Sequence, residues 1–205
     1  MRSLLYVPVL HTPSEVGCMR DVFTDITQKA EAKVLTKEKQ EEAIKQMWDG
    51  IREKLMGLKP DWTQVRIFQD AMPVSGQETA IASRLAEKGS LNHQLLLDLL
   101  KEGAILEGTE NPELLVEEYD SLLSFLNSER NEANTKEYKT RAEQLLEKRD
   151  QFIAARIQGA VKDGEGALAF MGVRHKVDKL LVKDFLVSYV IYRLPFQKVG
   201  EIYQL

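Results

Sequence analysis

Two histidines far apart in the chain each close an apolar run of strand length. The run Leu4 to Leu10 ends on His11, and the run Ala167 to Met171 passes Gly172 and Val173 to deliver Arg174 and His175. Two further runs, Val65 to Asp70 and Ala104 to Glu107, finish on carboxylates, and Glu110 follows the second. Two imidazoles with one to three carboxylates form a usual ligand set for a divalent ion such as zinc, manganese or iron. An ion held by three or four of them lowers the pKa of a bound water and polarises a carbonyl, and a remaining carboxylate serves as general base. Taken singly, each residue also has a structural use. A strand-end histidine can simply be hydrogen-bonded in its loop, and Glu107 or Glu110 can favour a helix N-terminus.

Arg149 belongs with this set. Leu145, Leu146, Phe152 and Ile153 mark an apolar stripe on a long helix, and Arg149 lies three or four residues from each. A guanidinium on an inward face requires a carboxylate or ligand partner, because an unpaired buried charge is very costly. Asp70, Glu107 and Glu110 are the candidates; an ion pair internal to the fold, or an arginine reaching back to solvent, would also satisfy it. Asp150 is expected to turn away from that stripe. His93, in the first turn of a helix, is expected to be solvated, and Trp48 and Trp62 to be packing anchors.

These groups meet only if the elements carrying them place their ends together. Asp163, Gly164 and Gly166 form a turn into the Ala167 strand, whose five apolar residues suit a position buried on both faces. Thr12, Pro13 and Glu15 predict a helix start beside His11, with Cys18 inside that helix. A helix over about 36–57 carries the stripe Ile44, Met47, Trp48, Ile51 and Leu55. Ser75 to Glu78 reads as a capping box, Ser90 as the start of a leucine-rich helix, and Asn111-Pro112 as a cap with a first-turn proline. A polar segment from Asn127 to Thr135 joins the next helix to a long one ending near Asp163. Phe185 to Tyr192 predicts a fifth strand, and the tail to Leu205 is placed at the sheet edge. Strands alternating with helices predict a single α/β domain over 1–205, a mostly parallel sheet of about five strands with helical insertions at about 36–57 and 111–162. In such sheets ligands collect beyond the carboxyl ends of the strands, where His11, Asp70, Glu107, Glu110 and His175 would converge.

Composition narrows the classes. At 205 residues, 43% hydrophobic and 29% charged, the chain can bury a full core. A net charge of −4 argues against a nucleic-acid surface, which needs a basic stripe. No apolar run approaches the roughly 20 residues that span a bilayer. The first apolar run lacks a small-residue cleavage site and reads as a core strand rather than a signal peptide. Cys18 is the single cysteine, so no internal disulfide forms, and the expected compartment is the reducing cytoplasm. A homo-oligomer is compatible with all of this.

The segment Glu147-Lys148-Arg149-Asp150-Gln151-Phe152-Ile153-Ala154, then Ile157, then the strand into Gly172-Val173-Arg174-His175, resembles the C-terminal half of the TraB/Tiki/GumN-like group. There a helix with an Arg-Asn or Arg-Asp pair precedes a strand ending in a GxxH motif. The first strand into His11 is similar to that group's N-terminal GxxH element, with Pro8 in the glycine position. Lys176 stands where the group has Leu, and Asp70 where Glu is common. The resemblance, which extends to ChaN-like haem-uptake and erythromycin-esterase-like proteins, implies His11, Asp70 and His175 as metal ligands. Glu107 or Glu110 then acts as base or further ligand, and Arg149 orients a carboxylate or oxyanion. The expected function is a metal-dependent hydrolase acting on a small-molecule or peptide substrate at an ester or peptide bond. The alternatives are a haem or anionic small-molecule binding protein, with His11 or His175 as axial ligand, and a regulatory domain whose site has decayed.

Overall fold

The computed structural model describes residues 1–9, 37–129 and 131–192, with the side chains of 37–41 set aside. His11, Cys18, the helix expected after Thr12 and the tail beyond Tyr192 lie outside the described residues.

Five strands form one sheet: β1 (Arg2–Val9), β2 (Val65–Gln69), β3 (Ile105–Glu107), β4 (Gly166–Gly172) and β5 (Phe185–Tyr189). All pairings are parallel, as the alternating pattern predicted, and the order is β3-β2-β4-β1-β5. β4 lies at the centre, and every residue from Ala167 to Gly172 is buried. That accounts for a run that is apolar throughout instead of alternating, since both faces are covered.

The helices are α1 (Lys37–Leu58), α2 (Glu78–Glu87), α3 (Leu91–Lys101), α4 (Pro112–Asn127) and α5 (Glu132–Ala160). On one face Val7, Val9, Ile67, Leu168 and Phe170 meet Trp48, Ile51 and Leu55 of α1 and Leu95, Leu96 and Leu99 of α3. On the other, Leu4, Tyr6, Phe68, Ala167, Ala169 and Met171 meet Ile153, Ala154 and Ile157 of α5. Alanines at 167 and 169 leave room for α5 to settle close to the sheet. The helical stretches expected as insertions therefore supply both covering layers. Trp48 and Trp62 are core residues, as expected. No helix among the described residues is long and apolar enough to cross a membrane.

Local capping follows the sequence signals with one exception. Asn111 accepts from Glu113 N at 2.8 Å with Pro112 opening α4, and Ser90 caps α3. At α2 the expected cap Ser75 lies outside the helix. Glu78 instead turns back and its Oε1 accepts from Ser75 N and Gly76 N, the reciprocal half of a capping box.

Candidate metal centre

Asp70 is fixed by the end of β2. Its N–H donates to Phe170 O at 2.9 Å, carrying the ladder one residue beyond the strand, and Gly172 N donates to its Oδ2 at 2.9 Å. The chain then turns sharply through Ala71, whose φ of 61° is uncommon for a residue with a side chain. This turn sends residues 72–74 across to the loop after β3. Thr109 N and Glu110 N both donate to Met72 O, Val74 N donates to Glu110 O, and Thr109 Oγ1 accepts from Gln69 N. Glu110 is thereby carried under the sheet end, fully buried, with its Oε1 accepting from Ala71 N.

The two loops approach so closely that only glycine fits at 108. A Cβ there would lie 2.6 Å from Val74 Cα and 2.7 Å from Glu78 Oε1. Gly108→Ala is expected to destabilise the fold by roughly 1–3 kcal/mol, because backbone must move and take Glu110 with it. Urea denaturation beside Gly57→Ala, where nothing crowds a Cβ, checks this.

α5 brings the cation and β4 the imidazole. Arg149 Nε and Nη2 donate to the two Glu110 oxygens at 3.0 and 2.5 Å, Nη2 also to Asp70 Oδ1 at 2.8 Å, and Nη1 to Glu118 Oε2 at 2.6 Å. Of the carboxylates weighed as its partners, Asp70 and Glu110 fill the role, and Glu118 of α4 joins them. Beyond β4 a turn closed by His175 N donating to Gly172 O folds the imidazole back over the sheet end. Its Nε2 lies 3.1 Å from Asp70 Oδ2 and its Nδ1 2.5 Å from Asp150 Oδ1, while Lys176 N donates to Asp150 Oδ2.

Asp150 thus faces inward, contrary to expectation. The loop carrying His175 and the short 3-10 turn Val177–Leu180 cover a second side of α5, so its buried arc is wider than the stripe facing the sheet. His93 likewise is buried rather than solvated. The first turn of α3 lies under the end of β2, where Asn92 Nδ2 donates to Gln69 Oε1 and His93 Nδ1 lies 2.8 Å from Ser90 Oγ.

Among the described residues four carboxylates, Asp70, Glu110, Glu118 and Asp150, surround two cationic groups. Burial disfavours charge on His175, but hydrogen bonds to Asp150 and Asp70 outweigh it and push the imidazole up to about 10. Burial also works against the Arg149 charge, and Glu110, Asp70 and Glu118 more than offset it, so the guanidinium is held more firmly charged than usual. Burial pushes the Glu110 carboxyl above the ordinary range, against the pull of Arg149. Asp70, Glu110 and His175 each offer one ligand atom, and these atoms all lie within 4.8 Å of one another. The chain therefore contains a buried carboxylate–imidazole group able to hold a metal ion.

Glu107 is elsewhere. Its carboxylate pairs with Arg66 and with Arg156, outside the group around Asp70. A hollow of about 440 Å³ between α4 and α5, lined by Asp120, Ser124, Glu137 and Tyr138 among others, includes none of the group either. Sequence reasoning passed over Asp150 and Glu118, although the signal for both was present. Asp150 falls four residues after Leu146 and three before Ile153, and Glu118 four after Leu114 and four before Leu122. These are the spacings that singled out Arg149.

No family model, no curated protein and no solved structure matches this chain.

Proposed function

We propose that this protein is a metal-dependent hydrolase of a peptide or ester bond, with Asp70, Glu110 and His175 as ligands. The observation that carries this reading is the convergence of their three ligand atoms inside 4.8 Å. A tetrahedral site with bonds of about 2.0–2.2 Å holds its donors roughly 3.3–3.6 Å apart, so the widest-spaced donors must close by at most roughly 1.2–1.5 Å. The excess of carboxylate over cation supports it too, because a divalent ion would neutralise negative charge that burial otherwise penalises.

Such an ion supplies a water of lowered pKa and polarises the carbonyl under attack. The chain's own groups do the rest. Asp150, at Nδ1 of His175, fixes the tautomer and aims Nε2 at Asp70 and Glu110, as carboxylates behind metal-bound histidines do. Arg149 holds Glu110 and Asp70 in register. One Glu110 oxygen would serve as a ligand, and the bonds from Arg149 to both oxygens hold the carboxylate in place. The choice of peptide or ester substrate rests on the resemblance to the TraB/Tiki/GumN-like group, through which His11 also enters as a further ligand.

A closed ion-pair network without metal is the competing reading. It is favoured by Arg149, which already donates three hydrogen bonds to Asp70 and Glu110 and a fourth to Glu118. Among the described residues nothing favours haem: both ring nitrogens of His175 face carboxylates, and His11 lies outside them.

Elemental analysis after dialysis against manganese or zinc separates the two. A stoichiometric ion is expected in the wild type, lost in His175→Ala and bound about 10–100-fold more weakly in Asp150→Asn. A wild type that retains no ion leaves the network reading in its place.

A further inference from the structure

The two ends of the sheet differ. β3 is three residues long, and its Glu107 is tied to Arg66 and Arg156. β5, the outermost strand on its side among the described residues, is longer and carries no charged residue from Phe185 to Tyr192. Natural edge strands are usually shortened, charged or interrupted by proline, since an open row of N–H and C=O groups invites another strand. Among the described residues, five of the eleven exposed large apolar side chains fall between Leu180 and Ile191: Leu180, Val182, Leu186, Tyr189 and Ile191.

The pairing with β1 fixes which backbone groups of β5 face outward. Arg2 N donates to Asp184 O, and Val190 N donates to Tyr6 O, so the even-numbered residues bond to β1. Val187 and Tyr189 therefore direct both N–H and C=O away from the sheet, and Phe185 its C=O, while Phe185 N donates to Val182 O and Ile191 O accepts from Lys54 Nζ. In an antiparallel pair, residues directly opposite each other exchange both bonds at alternate positions. A two-fold axis at Val187 places Val187 opposite itself and Phe185 opposite Tyr189 of the second copy, all outward-facing positions. Lys183 and Asp184 lie in the turn closed by Phe185 N donating to Val182 O, so the paired stretch itself carries no charge. The strand is complementary to itself.

We propose that two copies of this chain pair through β5, antiparallel about Val187, joining their sheets into one of ten strands. A two-fold contact of this kind uses the same patch on both partners. It also lays each Tyr189 beside the partner's Phe185, an aromatic pair that adds to the backbone bonds.

Sedimentation of the full-length protein tests this, with a concentration-dependent dimer expected. Val187→Lys puts two positive charges opposite each other and is expected to weaken association by about tenfold or more, with partial recovery in high salt. Val187→Pro removes an outward N–H that β1 does not use and is expected to give a folded monomer. The register has its own test. At an opposed, bonded pair the Cα atoms lie about 5.5 Å apart, within disulfide range, so Val187→Cys is expected to cross-link on oxidation in a Cys18→Ser background and Lys183→Cys is not. A wild type that stays monomeric up to sub-millimolar concentration overturns the proposal. So does a dimer that survives both substitutions at Val187 while Val187→Cys fails to cross-link.

Discussion

Arg149→Met is expected to cost about 3–5 kcal/mol of folding stability, the largest loss from any single side chain in the charged group. Methionine keeps much of the volume, so packing along α5 against Ile153 changes little. What is lost is charge. Asp70, Glu110 and Glu118 all direct oxygens at one guanidinium, and only Glu118 has appreciable contact with solvent. Without it, two buried carboxylates face each other and must either take up protons or reach for water. Arg156→Met offers the contrast. That arginine is one-third exposed and its carboxylate partner Glu107 keeps Arg66, so about 1 kcal/mol or less is expected. Combining Arg149→Met with Glu110→Gln should recover part of the loss, since the second change removes a charge the first has orphaned. Urea denaturation of the four proteins measures each step. A cost for Arg149→Met no greater than that for Arg156→Met would show that solvent, not the guanidinium, balances these carboxylates.

In the presence of a chelator, the protein is expected to lose stability as pH rises from neutral toward 10. His175 has its pKa pushed up to about 10 from an ordinary value near 6.5. A group whose folded pKa is raised contributes its full stabilisation below the unfolded value and loses it as pH climbs through the folded one. The window therefore runs from about 6.5 to about 10, and the amount at stake is on the order of a few kcal/mol. His175→Gln should flatten this part of the profile while still filling the space. Bound metal reverses the sign. A ligating imidazole must shed its proton, so metal affinity rises with pH and ion uptake releases protons at neutral pH. Thermal unfolding from pH 6 to 10, with chelator and with manganese, gives both curves. If they stay parallel, His175 is not a ligand.

The fold was legible because its signals are local or periodic. β4 shows itself as an unbroken apolar run between glycines, α3 as leucines behind a serine cap, α1 as a stripe at three- and four-residue steps. The parallel sheet follows from strands separated by helices. At the site, Asp70, Glu110, Arg149 and His175 were visible as polar residues placed where apolar elements end or turn inward. Asp150 and His93 were both misplaced. Asp150 was assigned to solvent as lying off the stripe around Arg149, whereas α5 is covered on two sides; His93 was assigned there from its place in a helix's first turn, which lies beneath a strand end. Glu107 and Glu110 could not be separated, because their choice of partner depends on how the loops after β2 and β3 cross.

The sequence by itself determined which segments become strands and helices, and that polar groups sit at the carboxyl ends of β2 and β4. Apolar periodicity and capping residues act over one or two turns of chain, so they can be read without neighbours. Only the tertiary structure decided that β2 and β4 lie side by side. It also chose Glu110 over Glu107 to share Arg149 with Asp70, and turned Asp150 toward His175. Those choices depend on contacts between residues 25 to 102 positions apart, settled by which buried charges can find partners once the layers have packed.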